Sequence, residues 1–154
     1  MYKLLTASLV GLFMNCHGNQ TDQTNTTASS DSSAVATSLT PQCYAYASAR
    51  DTVALMLTQS GAHVTGDLLY KLAGKDQNTG TIDGTLHGDT LLADYTFFSE
   101  GTQSVREVAF LRQNNGYVEG YGPVRQQNTR QTFADHAKLT FDSRRPLRSI
   151  PCPQ

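Results

Sequence analysis

Polar and apolar side chains alternate along most of the chain beyond residue 42, and this period of two restricts the fold more than any other feature. Val53, Leu55 and Leu57 stand two residues apart, and the pattern recurs in the segments that start at Val64 and Leu91. Because successive side chains of a β-strand point to opposite faces of the sheet, the pattern predicts strands with one buried face. No stretch shows a sustained helical period, so the sequence predicts an all-β domain.

Short turn sequences separate the predicted strands, at residues 60–61, 75–80, 88–89, 100–101 and 114–116. Strands of this length joined by short turns predict an antiparallel meander of about eight strands. Glycines recur inside the strands, at Gly66, Gly84 and Gly120, where they permit the tight coiling of a closed sheet. We therefore predict a small lipocalin-like barrel, with a two-sheet sandwich as the alternative.

Two of the predicted strands carry apolar residues on both faces. Leu92 and Phe98 lie on the nominal outer face of one strand, and residues 104–112 carry apolar and charged groups on each face. Two interpretations follow. Either the strands are covered on both sides, for instance by the chain from Arg144 onward, or they leave an exposed apolar patch that marks an interface.

The first fifteen residues are predicted to be an export signal. Lys3 precedes an apolar run of 11 residues, which is too short for a membrane-spanning helix of about 20 residues. Cys16 follows almost directly, as in the bacterial lipoprotein signal, although Phe13 and Asn15 depart from its preferred residues. We predict a signal peptide over 1–15, lipid on Cys16, and anchoring to the outer membrane facing the periplasm. The alternative is a secreted protein that is cut nearby, with Cys16 incidental.

The segment 16–41 is rich in serine and threonine and contains no aromatic residue. Such a composition cannot bury enough apolar surface to offset its conformational entropy. The sequence therefore predicts a disordered tether over 16–41 and a folded domain over 42–154.

Two cysteines remain once Cys16 is assigned to lipid. Cys43 and Cys152 lie near the two ends of the predicted domain, each close to a proline. Export places the chain in an oxidising compartment, where disulfides form and persist. We predict a disulfide between them, which would close a loop of about 110 residues. Two free buried thiols are the alternative.

Charge and spacing exclude several classes of function. The chain has 12 basic and 13 acidic residues, so strong electrostatic attraction to nucleic acid is not expected. Asp76, Asn78 and Gly80 resemble the start of a calcium loop, but the glycine is misplaced and His87 stands where a glutamate is needed. The four histidines form no metal-binding pair. We predict no metal and no cofactor.

One cluster of polar and aromatic residues is the candidate binding site. Its members are Tyr95, Ser99, Glu100, Ser104, Arg106, Glu107, Glu119 and Tyr121. An arginine beside glutamate and tyrosine can hold a carboxylate or a sugar at a barrel mouth. The alternative is a cross-strand ion pair that specifies hairpin register. Neither serine lies in a Gly-x-Ser-x-Gly turn, so we predict no catalytic residue.

Three segments, KDQNTGTIDG, GDTLLADYTFFSEG and SVREVAFL, resemble a family of small uncharacterised lipoproteins of Bacteroidetes-type bacteria. The resemblance spans the domain from Cys43 to Cys152, although Gly74 replaces a glutamate that is common in the family. The resemblance implies a location in the cell envelope and an all-β fold, and it implies no mechanism.

The sequence thus predicts a non-catalytic lipoprotein of the cell envelope, a binding or structural module. Its partners would be the membrane, through the lipid, and a small amphiphile or an envelope protein. One alternative is an envelope hydrolase that acts on glycan or peptide bonds. Another is an inhibitor of a hydrolase, for which residues 122–130 are the one candidate loop.

Overall fold

The computed structural model describes residues 38–153 and consists almost entirely of strands. The strands are β1 (Ser38–Ala47), β2 (Thr52–Ser60), β3 (His63–Lys71), β4 (Asn78–His87), β5 (Thr90–Ser99), β6 (Thr102–Gln113), β7 (Gly116–Tyr121), β8 (Val124–Gln127), β9 (Arg130–Phe133) and β10 (Thr140–Ile150). A short 3-10 helix, His136–Lys138, precedes β10. No helix in this part of the chain is long and apolar enough to cross a membrane. The signal peptide and Cys16 lie outside the described residues.

The folded domain begins earlier than predicted. β1 starts at Ser38, inside the segment assigned to the tether, and Ser38 pairs with Gln59 of β2. Backbone pairing needs no apolar side chain, which explains why composition did not reveal this end of the strand.

Eight strands close into an antiparallel barrel. Strands β1 to β7 pair in sequence order, and β10 then pairs with both β7 and β1. The predicted all-β barrel is confirmed, and the two-sheet sandwich is not formed. In a barrel closed in this way each of the eight strands has a neighbour on both sides, so none is a free edge strand.

The inner face of the barrel carries the apolar residues of the alternating pattern. Leu55, Leu68, Tyr95 and Phe110 are almost completely buried there, and further leucine, valine and tyrosine side chains pack around them. An eight-stranded barrel has an interior only wide enough to be filled by side chains. These residues therefore form a packed core.

The glycines inside the strands lie where neighbouring strands approach closely. A Cβ atom on Gly66 would overlap the carbonyl of Met56 in β2, and one on Gly84 would overlap the carbonyl of Leu92 in β5. Only a residue without a side chain fits at these points, which agrees with the coiling predicted from the sequence.

The outer face of β6 and β7 is covered by the chain between β7 and β10 and by Phe141 near the start of β10. Ala109 and Val118 point outward and are nevertheless buried. A Cβ atom on Gly120 would lie 2.8 Å from the ring of Phe141, and one on Gly122 would lie 3.1 Å from Leu139. Strand β6 is thus covered on both faces.

The cover is not the one that the sequence suggested. Residues from Arg144 to Ile150 belong to β10 and form part of the barrel wall, so the expectation that they lie over the sheet is wrong. On β5, Phe98 is 65% exposed. The outer face of β5 is therefore not covered near the end of the strand.

A disulfide joins Cys43 in β1 to Cys152, which follows β10, with the two Cα atoms 5.1 Å apart. The predicted pairing is confirmed. Because β1 and β10 are neighbours in the closed sheet, the bond links the first and last strands of the barrel.

The two ends of the barrel differ. One end holds the start of β1, the turns at Gly61 and Gly88, and the β6–β7 turn; we call it the closed end. The other holds the β3–β4 and β5–β6 connections, and we call it the mouth.

Candidate functional site

A cavity of about 150 Å³ lies at the mouth. The side chains that line it and carry polar groups are Tyr70, Lys75, Asp76, Asn78, Arg106, Glu119, Tyr121 and Arg145. They come from β3, β4, β6, β7, β10 and the β3–β4 connection, so only closure of the barrel brings them together. The volume is below the roughly 300–1,000 Å³ of sites for drug-sized ligands. The cavity therefore fits one chemical group of a ligand.

The carboxylate of Glu119 is held by two tyrosines. The hydroxyl of Tyr70 donates to Oε1 over 2.6 Å, and the hydroxyl of Tyr121 donates to Oε2 over 2.6 Å. Arg145 in turn donates to the Tyr121 hydroxyl over 3.1 Å. Both oxygens of Glu119 already accept a hydrogen bond, and the side chain is fixed in place.

Burial, and then the charge of Glu119, raise the pKa of Tyr70 well above its ordinary value. Burial, and then the hydrogen bond to Glu119, also raise the pKa of Tyr121. Both phenols therefore keep their protons at neutral pH and remain hydrogen-bond donors.

Arg106 projects into the barrel on the same face as the core. Its guanidinium carbon lies 5.0 Å from the ring centre of Tyr70, 5.7 Å from that of Tyr95 and 6.0 Å from that of Phe97. Within residues 38–153 it makes no hydrogen bond and no ion pair. Cation–π contact thus positions the group while its five N–H donors stay unused.

Tyr95 lies in the same layer as Arg106, its register partner across β5 and β6. Its ring is fully buried and stacks on Phe97 at 4.8 Å between centres. Its hydroxyl has no hydrogen-bond partner in the part of the chain that the structure describes. Burial raises the pKa of Tyr95 to about 12, although Arg106 opposes the shift.

Glu107 lies on the opposite, outer face of the barrel wall. Its Oε2 accepts from the backbone N–H of Phe133 over 2.7 Å, and its Oε1 lies 2.9 Å from Nε2 of His136. Beside it, Asp94 accepts two hydrogen bonds of 2.8 Å from Arg130. These contacts fasten β9 and the 3-10 helix to β5 and β6, so Glu107 has a structural role. Glu107 and Glu119 do not converge as a carboxylate pair for glycoside hydrolysis.

A second cavity of about 150 Å³ opens through the side of the barrel. It lies where β6 changes partner, from β7 at Ala109 to β9 at Arg106. Arg106, Glu119 and Tyr121 border this side opening as well as the mouth. The same three side chains are therefore reachable from two directions.

The remaining predicted residues lie farther out. Ser99 and Glu100 are exposed at the β5–β6 turn, where Glu100 adopts a left-handed φ of 49° as a tight turn requires. Ser104 is half-buried opposite Phe97 in β5. Of the eight predicted residues, the structure brings together Tyr95, Arg106, Glu119 and Tyr121.

Sequence reasoning missed Tyr70 and Arg145, which complete the mouth. Tyr70 stands on the apolar parity of β3 with Leu68, so its pattern is that of a core residue. Arg145 lies where the pairing of β10 shifts between Asp142 and Leu147, which breaks the period of two. Neither position carries a signal in the sequence.

Other chemistry is not assembled in the described part of the chain. No three His, Cys, Asp or Glu side chains within residues 38–153 are placed to hold a metal ion. Asn78 and Gly80 belong to β4, so the residues that resemble a calcium loop form the β3–β4 connection and the strand after it.

No family model, no curated protein and no solved structure matches the chain. The resemblance to an uncharacterised lipoprotein family therefore stays a prediction from the quoted segments. The function has to be inferred from the geometry of the mouth.

Proposed function

We propose that this protein is a lipoprotein of the cell envelope and that its barrel is a non-catalytic binding module with the mouth as its binding site. The observation that carries the proposal is the cavity at the mouth, where Arg106, Glu119 and Tyr121 meet above a packed core. Polar groups that converge on a cavity are the usual mark of a ligand site.

The packed core limits which ligands fit. Leu55, Leu68 and Phe110 fill the interior below the mouth, so the barrel has no room for an acyl chain. A small amphiphile would place its polar group in the mouth and its apolar part outside. This distinguishes the protein from a carrier that encloses its ligand.

Export and anchoring are supported by the sequence and by the disulfide. Disulfides persist in oxidising compartments such as the periplasm, where the signal over 1–15 would direct the chain. Strand β1 begins at the closed end, so the chain that leads to Cys16 joins the barrel at the end opposite the mouth.

The two alternatives have less support. A hydrolase that uses paired carboxylates would need Glu107 and Glu119 on one face, and they lie on opposite faces. An inhibitor would need a projecting loop, and residues 122–130 form mainly β8 and its turn, which β9 ties to β6. Strand β8 itself is exposed along its length.

Native mass spectrometry of the protein purified from its own membrane tests the proposal. We expect an acylated Cys16 as the first residue, an intact disulfide, and a bound small molecule. Glu119→Ala should lose that molecule, because the substitution dismantles the mouth. Asp83→Ala is the matched control, since Asp83 is an exposed carboxylate on the outer face of β4.

Two results would contradict the proposal. A protein that starts at Met1 and carries no lipid would refute the proposed lipid anchor. If Glu119→Ala retains the bound molecule as well as Asp83→Ala does, the mouth is not the binding site.

A further inference from the structure

We infer that the group bound at the mouth is a carboxylate and that Arg106 is the residue that binds it. The inference rests on the proposed function of the mouth as a binding site and names the chemical class of its ligand. It follows from the balance of hydrogen-bond donors and acceptors around the cavity.

Glu119, the acceptor on the barrel wall beside Arg106, is already engaged. Each oxygen of Glu119 receives a short hydrogen bond from a tyrosine, and Tyr121 receives one from Arg145. Arg106 donates to none of these groups and to no other group in the described chain. Arg106 therefore has donors to spare, and an acceptor from outside can engage them.

Arg112 shows that the barrel can satisfy an arginine on the same face of the same strand. Its guanidinium donates to the hydroxyl of Tyr117 over 3.2 and 3.3 Å and to the side chain of Gln59 over 3.3 Å. These partners lie at the closed end. The guanidinium of Arg106, near the mouth, lies over the rings of Tyr70, Tyr95 and Phe97, and rings do not accept from the edge of a guanidinium.

The hydroxyl of Tyr95 is a second donor without a partner. It is fully buried, in the residue that faces Arg106 across the β5–β6 pair. A buried polar group left without a partner is costly, and such groups are rare in folded proteins. Two unpaired donors in one layer, one of them bordering two cavities, indicate a ligand that carries acceptor oxygens.

Charge favours a carboxylate over a phosphate. The mouth is lined by Lys75, Arg106 and Arg145 against Asp76 and Glu119, an excess of one positive charge. A carboxylate monoanion balances this excess, whereas a phosphate ester carries about −1.5 to −2 at neutral pH. The planar fork of a guanidinium also matches the two oxygens of a carboxylate.

Two-dimensional NMR of the full mature protein in a neutral detergent tests the inference, with benzoate, benzamide and phenyl phosphate as probes. Benzoate should shift the signals of Tyr70, Arg106 and Glu119. Benzamide, which has the same size and no charge, should bind at least about tenfold more weakly, as should phenyl phosphate.

Variants identify the residue. Arg106→Gln should weaken benzoate binding at least about tenfold, and Arg106→Lys should restore only part of it, because lysine keeps the charge without the fork. Arg148→Gln is the matched control for net charge, since Arg148 is exposed and lies opposite Gly116 at the closed end. The affinity of the Arg148→Gln variant for benzoate should equal that of the unchanged protein.

The outcomes separate the inference from the proposed function. If benzamide or phenyl phosphate shifts the mouth signals as strongly as benzoate, the assignment of the ligand group as a carboxylate is wrong, and the mouth remains a binding site. If Arg106→Gln binds benzoate like the unchanged protein, the role of Arg106 is wrong. If no probe shifts the mouth signals at millimolar concentration, both the inference and the proposed function fail.

Discussion

Arg106 and Arg112 lie on the same face of β6, and only Arg112 forms hydrogen bonds within residues 38–153. The strand thus carries one arginine that completes the closed end and one whose donors are unused near the mouth. A residue retained for stability would be expected to resemble Arg112. Arg106 instead has the surroundings of a residue whose hydrogen-bond donors are available to a ligand.

The two arginines should differ in their contribution to stability. Arg112→Met removes hydrogen bonds to Tyr117 and Gln59 and should lower the free energy of unfolding by roughly 1–2 kcal/mol. Arg106→Met removes no hydrogen bond, only cation–π contacts, and should change the free energy of unfolding by less than about 1 kcal/mol. Urea denaturation of both variants without ligand checks this. A larger loss for Arg106→Met than for Arg112→Met would contradict it.

The contacts of Glu107 should hold the covering segment in place. Glu107→Ala removes the acceptor of the Phe133 N–H and the partner of His136, in a side chain that is only 16% exposed. We expect a loss of about 1–3 kcal/mol in the free energy of unfolding and faster hydrogen exchange at the Phe133 amide. Glu100→Ala, at an exposed turn, is the control. Unchanged exchange at Phe133 would refute the role assigned to Glu107.

Gly66 should not tolerate a side chain. In Gly66→Ala the new methyl group would overlap the carbonyl of Met56. The β2–β3 pair would have to shift, at a cost of about 1–3 kcal/mol in the free energy of unfolding. Thermal denaturation, with Thr65→Ala as the neighbouring control, measures the effect. Equal melting temperatures for the two variants would show that the strands are not as close here as the structure indicates.

The protein should lose stability at alkaline pH. The pKa of Tyr95 is about 12 when folded and near 10 when unfolded, so the unfolded chain releases this proton first. The stabilising contribution is complete below pH 10 and is lost as pH rises through about 12. Burial raises the pKa of Tyr44 and Tyr70 in the same direction. Urea denaturation at a series of pH values should show this fall, and Tyr95→Phe should make it shallower.

Reduction of the disulfide should be strongly destabilising. Cys43 and Cys152 are 109 residues apart, and a loop of this length corresponds to about 4–5 kcal/mol in the chain-entropy model, an upper figure. Cys152→Ser should lose as much stability as chemical reduction of the unchanged protein. Denaturation with and without reductant measures both. A stability that is insensitive to reductant would contradict the prediction.

Much of the barrel could be predicted because its determinants are local. The period of two and the turn residues are readable in any short window, and Asn114 and Asn115 adopt left-handed φ values of 50° and 59° as a two-residue hairpin turn requires. The role of β10 was not predicted. A register shift between Asp142 and Leu147 interrupts its alternation, so residues after Arg144 did not look like a strand.

The site was only half predictable, because it depends on closure of the sheet. Glu119 and Tyr121 share a strand, but Tyr70 reaches them only across the barrel, through a contact between residues 49 positions apart. Glu107 was included because it follows Arg106 in the chain. In a strand, however, neighbours in sequence face opposite sides, and the rule that predicted the fold would have separated these two residues.

The position of the disulfide also determines how the barrel would respond to tension. Force applied through the chain that precedes Ser38 acts first on the end of β1 and would unzip its pairs with β2 one after another. At Cys43 the load would pass through the covalent bond to the end of β10. Mechanical peeling would stop after the first few residues, and the mouth at the far end of the barrel would keep its shape while the protein is pulled.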